Sequence, residues 1–264
     1  MINWMKYRVL YLVISGVVIG VGVFSLLKWG LNLGIDFTGG AVMVYKFPDG
    51  ATKTFNYPPQ DESQIAKIRA DFKNQKAEEI SFENVGPSIG PELVKKTFIA
   101  LLISASGILL WVAIQFKSFK FGISAVLGMF HDSLVLIGSF ALLGHFFGAP
   151  VDFLFVTALL TILSFSVHDT IVNYDRIREF QKKVGGDLKD LANKSTTETM
   201  VRSLNNSFTI IFMLIALILL GGTTITWFAI ALLIGTVSGT YSSPFVSVAI
   251  LVTWDEIEKK LKSR

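Results

Sequence analysis

The chain has 264 residues, of which 52% are hydrophobic and only 17% charged, and it contains no cysteine. A soluble domain of this size carries nearer a quarter charged residues, so the composition excludes an ordinary soluble enzyme. Any exported segment must also fold without disulfides. The net charge of +4 carries no nucleic-acid signal, because the basic residues fall in blocks between apolar stretches.

Six stretches have spanning length, at about 7–27, 97–115, 121–144, 152–174, 203–222 and 225–253. A helix needs roughly 20 apolar residues to cross the hydrocarbon core. The first stretch is too long for a removable signal and lacks a small-residue cleavage pattern, so it reads as a permanent span. Lys6 and Arg8 precede it, Lys117 and Lys120 join the second and third spans, and seven basic residues lie between Arg176 and Arg202. Lys259, Lys260, Lys262 and Arg264 close the chain, whereas the connections 145–151 and 222–226 contain no Lys or Arg. This alternation fits the positive-inside rule with both termini cytoplasmic.

Residues 28–96 alone have the texture of a soluble domain. "AVMVYKF" (41–47) and "ATKTFNY" (51–57) read as strands around the turn Pro48-Asp49-Gly50. "DESQIAKIRADFKNQ" (61–75) places Ile65, Ile68 and Phe72 on one helical face, and "EEISFENV" (78–85) alternates like a strand. The predicted fold is a polytopic α-helical membrane protein of six transmembrane helices, with a small α+β (β-β-α-β) extracytoplasmic domain between the first two. Its expected parts are an N-terminus with the first span (1–27), the domain (28–96), five further spans (97–253) with a cytoplasmic loop at 175–202, and a tail (254–264). Residues 185–201 suggest a short amphipathic helix at the cytoplasmic face.

The spans carry packing signals. Gly16 with Gly20, and Gly235 with Gly239, have the spacing that lets helices approach closely. Pro244 should bend the last helix, with Ser242 and Ser243 satisfying the freed backbone groups.

Three charged groups fall inside or at the edge of the spans. A rise of ~1.5 Å per residue puts Asp132 roughly 18 Å from the outer end of its span, Asp169 roughly 25 Å and Arg202 roughly 28 Å. Asp169 and Arg202, at matched depth on consecutive helices, are candidates for a pair. Asp169, Asn173 and Arg176 share one helical face, as do Ser124, Gly128 and Asp132. Asn205, Asn206, Ser207 and Thr209 make the entry of the fifth span polar. Such stripes are what a proton or ion path needs; the alternative is an ion pair that only fixes helix register. His131-Asp132 and His168-Asp169 lack the spacing of a zinc site. "GIDFTGG" follows a span and precedes a strand, so it is no phosphate loop, and the chain has no sign of using ATP.

Several segments are specific in combination. "LNLGIDFTGG" (31–40), "VGPSIGPEL" (85–93), "HDSLVLIG" (131–138), "SVHDTIVNYDRIRE" (167–179), "VRSLNNS" (201–207), "GG" (221–222) and "GTYSS" (239–243) occur in this order. Together they resemble the SecD/SecF family of protein-export subunits over nearly the whole chain. The length, with one modest exported domain, resembles the shorter family members rather than SecD or a fused SecDF chain. The motif residues concerned are Gly34, Asp36, Phe37, Gly39 and Gly40, then Asp175 and Arg176.

The resemblance implies a six-helix bundle of the resistance–nodulation–division type in the inner membrane. Its implied partners are a six-helical SecD, the SecYEG channel, an unfolded preprotein and membrane lipid, with no nucleic acid. It implies no cofactor or metal and no enzymatic reaction; the energy source is the proton gradient. Asp169 and Arg202 match the family's proton-relay positions, and Asp132 matches an acidic position in the third span. His168 departs from the family's usual Asn, and a histidine there can join the relay. Two rivals stand beside this reading: a structural assembly subunit, and an exporter of small solutes or lipids with a related bundle.

Overall fold

A computed structural model describes residues 2–58, 61–85, 89–116 and 118–263. After a 3-10 turn (Trp4–Tyr7) the elements run α1 (Arg8–Trp29), α2 (Ile35–Thr38), β1 (Gly40–Lys46), β2 (Thr52–Tyr57), α3 (Glu62–Asn74), β3 (Glu78–Val85), α4 (Ile89–Phe116), α5 (Phe119–Phe147), α6 (Phe153–Lys183), α7 (Leu188–Leu220), α8 (Thr223–Ser242) and, across a π-helical turn at Ser243–Ser247, α9 (Val248–Lys262). The chain divides into a helical unit (Met1–Asn32, Leu101–Ala149, Leu154–Arg264) and a smaller one (Leu33–Ala100, Pro150–Phe153). Among the described residues, six helical stretches are long and apolar enough to cross a membrane, the last formed by α8, the π turn and α9.

The smaller unit has the expected β-β-α-β order. Its antiparallel sheet runs β2-β1-β3, with Met43 paired to Phe55 and Phe82. Asp61 caps α3 in a capping box with Gln64, which satisfies two orphan backbone donors. Ile65 and Phe72 are buried, Ile68 packs beside them, and Tyr45 stacks on Phe72 at 4.0 Å.

Tyr45 donates from its hydroxyl to Glu79 (3.0 Å), which also accepts from Arg69 (2.9 Å). Burial, and then the Glu79 bond, push the Tyr45 phenol up to about 12. The Arg69 bond holds Glu79 below the usual carboxylate range. A depressed folded value means Glu79 stabilises the unit at neutral pH and loses that contribution as pH falls through its folded value. Amide exchange of β1 in the intact protein should therefore accelerate below about pH 4, and Glu79→Gln should flatten that dependence. An identical acid profile in the variant would contradict the pairing.

In the helical unit the glycines work differently from the sequence reading in one helix. Nothing lies within 4 Å of a side-chain carbon built on Gly16 or Gly20; instead Gly22 meets Gly138 of α5, where such a carbon would sit 3.0 Å from the Gly138 backbone. Spacing marks a small-residue stripe but not which way it faces. Gly235 does admit a neighbour, Ile162. The proposed short helix at 185–201 is continuous with the fifth span. No glycine or proline interrupts residues 188–220, and 33 residues rise about 50 Å, well beyond a bilayer core of ~30 Å.

Around Pro244 the last span passes through the π turn, a feature often placed at functional sites. Ser242 lies 3.4 Å from the Gly239 carbonyl, but its shorter bond goes to Asp132, and Ser243 donates to the Ser166 carbonyl of α6.

Candidate functional site: two carboxylates in the helical unit

Asp132 is fully buried on α5. Its Oδ1 accepts from Ser238 (2.6 Å) and lies 3.0 Å from His131 Nδ1; its Oδ2 accepts from Ser166 (2.5 Å) and Ser242 (2.6 Å). Ser238 and Ser242 stand one turn apart on α8, so one helical face delivers both hydroxyls. A carboxylate deprived of water is tolerated when its oxygens are filled with donors. Hydroxyl protons also rotate. If Asp132 is protonated, one serine can turn from donor to acceptor.

Asp169 lies partly buried on α6. Its Oδ2 accepts from Ser203 of α7 at 2.8 Å, and Ser243 supplies a second hydroxyl contact. The expected Asp169–Arg202 ion pair is not among the salt bridges of the described residues. α7 does meet Asp169 at the level of Arg202, because Ser203 is the next residue along it. Its rotation differs from the expectation: the buried face of α7 here carries Ser203 and Ser207, and Arg202 is exposed beside it.

Arg202 instead lines a cavity of about 440 Å³ with Asp175, Arg176, Glu179 and Glu198. Arg176 is ion-paired there to both Glu179 and Glu198. His168 is exposed on α6, and among the described residues it has no hydrogen bond. Asn173, expected on the same stripe, is buried and accepts from Ser195 of α7 at 2.7 Å.

The first motif has a structural role in the smaller unit. Asp36 accepts from the backbone N–H of Phe153, the first residue of α6, at 2.8 Å, a carboxylate at a helix N-terminus. Gly34 donates to the Val151 carbonyl at 2.8 Å, and Phe37 donates to Gly34. Gly39 and Gly40 have φ of 72° and 136°, and a side chain on Gly40 would reach 2.7 Å from the Tyr57 carbonyl. Only glycine fits that turn into β1. Gly86, Pro87 and Ser88 of the second motif lie outside the described residues.

The serines around Asp132 were the part the sequence reading missed. Their signal was present: Ser166, Ser238 and Ser242 interrupt otherwise apolar spans. A lone serine in a span is readily explained by a bond to its own helix, so nothing marked these as one cluster.

Comparison with known proteins agrees with this architecture. A family model described as protein export membrane protein SecD/SecF, C-terminal, matches residues 64–257, and the SecD/SecF GG motif matches 24–47. The chain is 38% identical to the protein translocase subunit SecF of Thermobaculum terrenum, over 97% of this chain and 94% of that one. It is 30% identical to the protein translocase subunit SecDF of Bacillus subtilis, covering 97% of this chain and 38% of that one. The crystal structure of SecDF from Thermus thermophilus superposes with a TM-score of 0.89 at 29% identity, over 97% of this chain and 39% of that one. The chain is a multi-pass membrane protein and belongs to the SecD/SecF family.

Proposed function

We propose that this chain works with SecD to assist the late export of unfolded proteins through the SecYEG channel, drawing on the proton gradient, with both termini in the cytoplasm. Its relatives named as translocase subunits support a role in protein export. Relatives in which the matching segment forms part of a longer SecDF chain support SecD as the partner. An exposed polar face agrees with this: His168, Arg202, Asn205 and Asn206 lie on the surface of spanning helices, where protein rather than lipid is the expected cover.

The observation that carries the energy-coupling reading is Asp169, a carboxylate in a span that is hydrogen-bonded by the hydroxyls of Ser203 and Ser243 and has no salt bridge among the described residues. Arg202 stands one residue from Ser203 in the chain. We infer that Asp169 exchanges its hydroxyl for the Arg202 guanidinium when it ionises, so each protonation cycle shifts α6 against α7. The movement passes along α1 and α4, which flank the smaller unit in the chain. One charge crossing 100 mV supplies ~2.3 kcal/mol, which biases a two-state movement several-fold to tens-fold.

The test is export of a secretory precursor into vesicles holding SecYEG and SecD, with and without this chain. Adding the chain should speed the late step only under an imposed gradient. Equal acceleration without a gradient would leave the assembly-subunit reading standing and overturn the energy-coupling one.

A further inference from the structure

Asp132 sits at the top of a polar ladder that the spacing of α5 only partly reveals. Lys120, Ser124, Gly128 and Asp132 follow at four-residue steps, rising about 18 Å from the end of the bundle that carries both termini. Facing helices fill the steps. Lys120 is ion-paired to Asp255 of α9 at 2.5 Å. Ser124 donates to the Lys120 carbonyl at 2.6 Å and lies 2.8 Å from the hydroxyl of Tyr174 on α6, which is 3.0 Å from the Ser247 carbonyl.

At the third step a side chain is absent, and Ser247 occupies the room: a carbon built on Gly128 would sit 1.8 Å from Ser247 Oγ. Tyr174, Ser124 and Ser247 are all fully buried. Two side-chain atoms, Ser247 Oγ and His131 Nε2, are buried and have no hydrogen-bond partner among the described residues. Packing alone would favour apolar groups at these positions, since a polar group in a core is destabilising unless it is bonded or used.

We propose that this ladder is a proton path between Asp132 and the termini-bearing end of the bundle, with Ser247, Tyr174 and Ser124 as carriers and His131 as the base beside Asp132. The proposal rests on the gradient-coupled reading above and gives Asp132 its own route, separate from Asp169. A proton leaving Asp132 is taken by the Nδ1 lone pair of His131, 3.0 Å from Oδ1, and His131 releases its Nε2 proton toward Ser247 through a water. The receiving group then releases its own proton to the next oxygen, directly or through one water. Each carrier gains one proton and loses one, and its rotor resets the chain. Gly128 is required because a side chain there would push Ser247 off the line.

The experiment uses vesicles containing the full chain with SecD and a pH-sensitive dye inside, with a pH gradient imposed and proton flux normalised to assembled protein. Ser247→Ala, Tyr174→Phe and Gly128→Ala should each lower the flux roughly tenfold or more. Unchanged flux in the two hydroxyl deletions, with flux lost in Asp169→Asn, would overturn the ladder and leave the proposed function intact. Loss in the ladder variants with flux kept in Asp169→Asn would support the ladder and overturn the role given to Asp169. Reduced assembly with normal flux per molecule would make these hydroxyls packing groups only and overturn the ladder. No flux in the unaltered protein would overturn both.

Discussion

Asp132→Ala should lower the stability of the helical unit by about 3–5 kcal/mol, because it strands donors that three helices aim at one point. Ser166, Ser238 and Ser242 would each lose their acceptor, as would His131. Each orphaned buried group costs about 1–3 kcal/mol, reduced where a serine turns back to a carbonyl of its own helix. Asp132→Asn keeps one acceptor oxygen and adds an amide that hydroxyl lone pairs can receive, so its cost should be nearer 1 kcal/mol. Thermal unfolding in lipid nanodiscs, read alongside cellular abundance, separates the two. An alanine variant as stable as the unaltered protein would mean that the carboxylate does not organise these helices. A marked loss in the asparagine variant would mean that the negative charge itself is structural.

The contrast between the two carboxylates shows what was legible beforehand. Span positions, the β-β-α-β unit and the burial of Ile65 and Phe72 follow from periodicities along one chain, and they were readable. Depth was readable too, since rise per residue is fixed, and α7 meets Asp169 at the level expected. Rotation was not. Whether Arg202 or Ser203 faces α6 depends on how α7 packs against its neighbours, which no spacing within α7 records. The same limit misplaced the glycine contact of α1, where Gly22 and not Gly16 or Gly20 meets α5. The serine cluster at Asp132 lay further out of reach, because its members come from three helices separated by up to 110 positions. His168 drew attention by standing next to Asp169. Adjacency in sequence turns side chains about 100° apart on a helix, and the buried histidine proved to be His131.

Asp169→Asn should abolish the benefit of a proton gradient while leaving assembly close to normal. Asparagine retains an oxygen that can accept from Ser203 (2.8 Å in the native pair), so the helix contact survives. What is lost is the change of charge, and with it any reason for Arg202 to move. The effect should therefore appear as loss of gradient dependence and not as loss of protein. Arg202→Gln should behave alike, since it removes the other half of the exchange.

The most direct test compares the unaltered chain with Asp169→Asn in sealed vesicles containing SecD and SecYEG. A gradient is imposed or collapsed after ATP-driven insertion of a precursor has begun, and assembled protein is quantified in each sample. The gradient should speed completion of export by the unaltered chain and do nothing for the variant, at equal abundance. If the variant responds to the gradient as the unaltered chain does, Asp169 is scaffolding, and the gradient is not coupled through it.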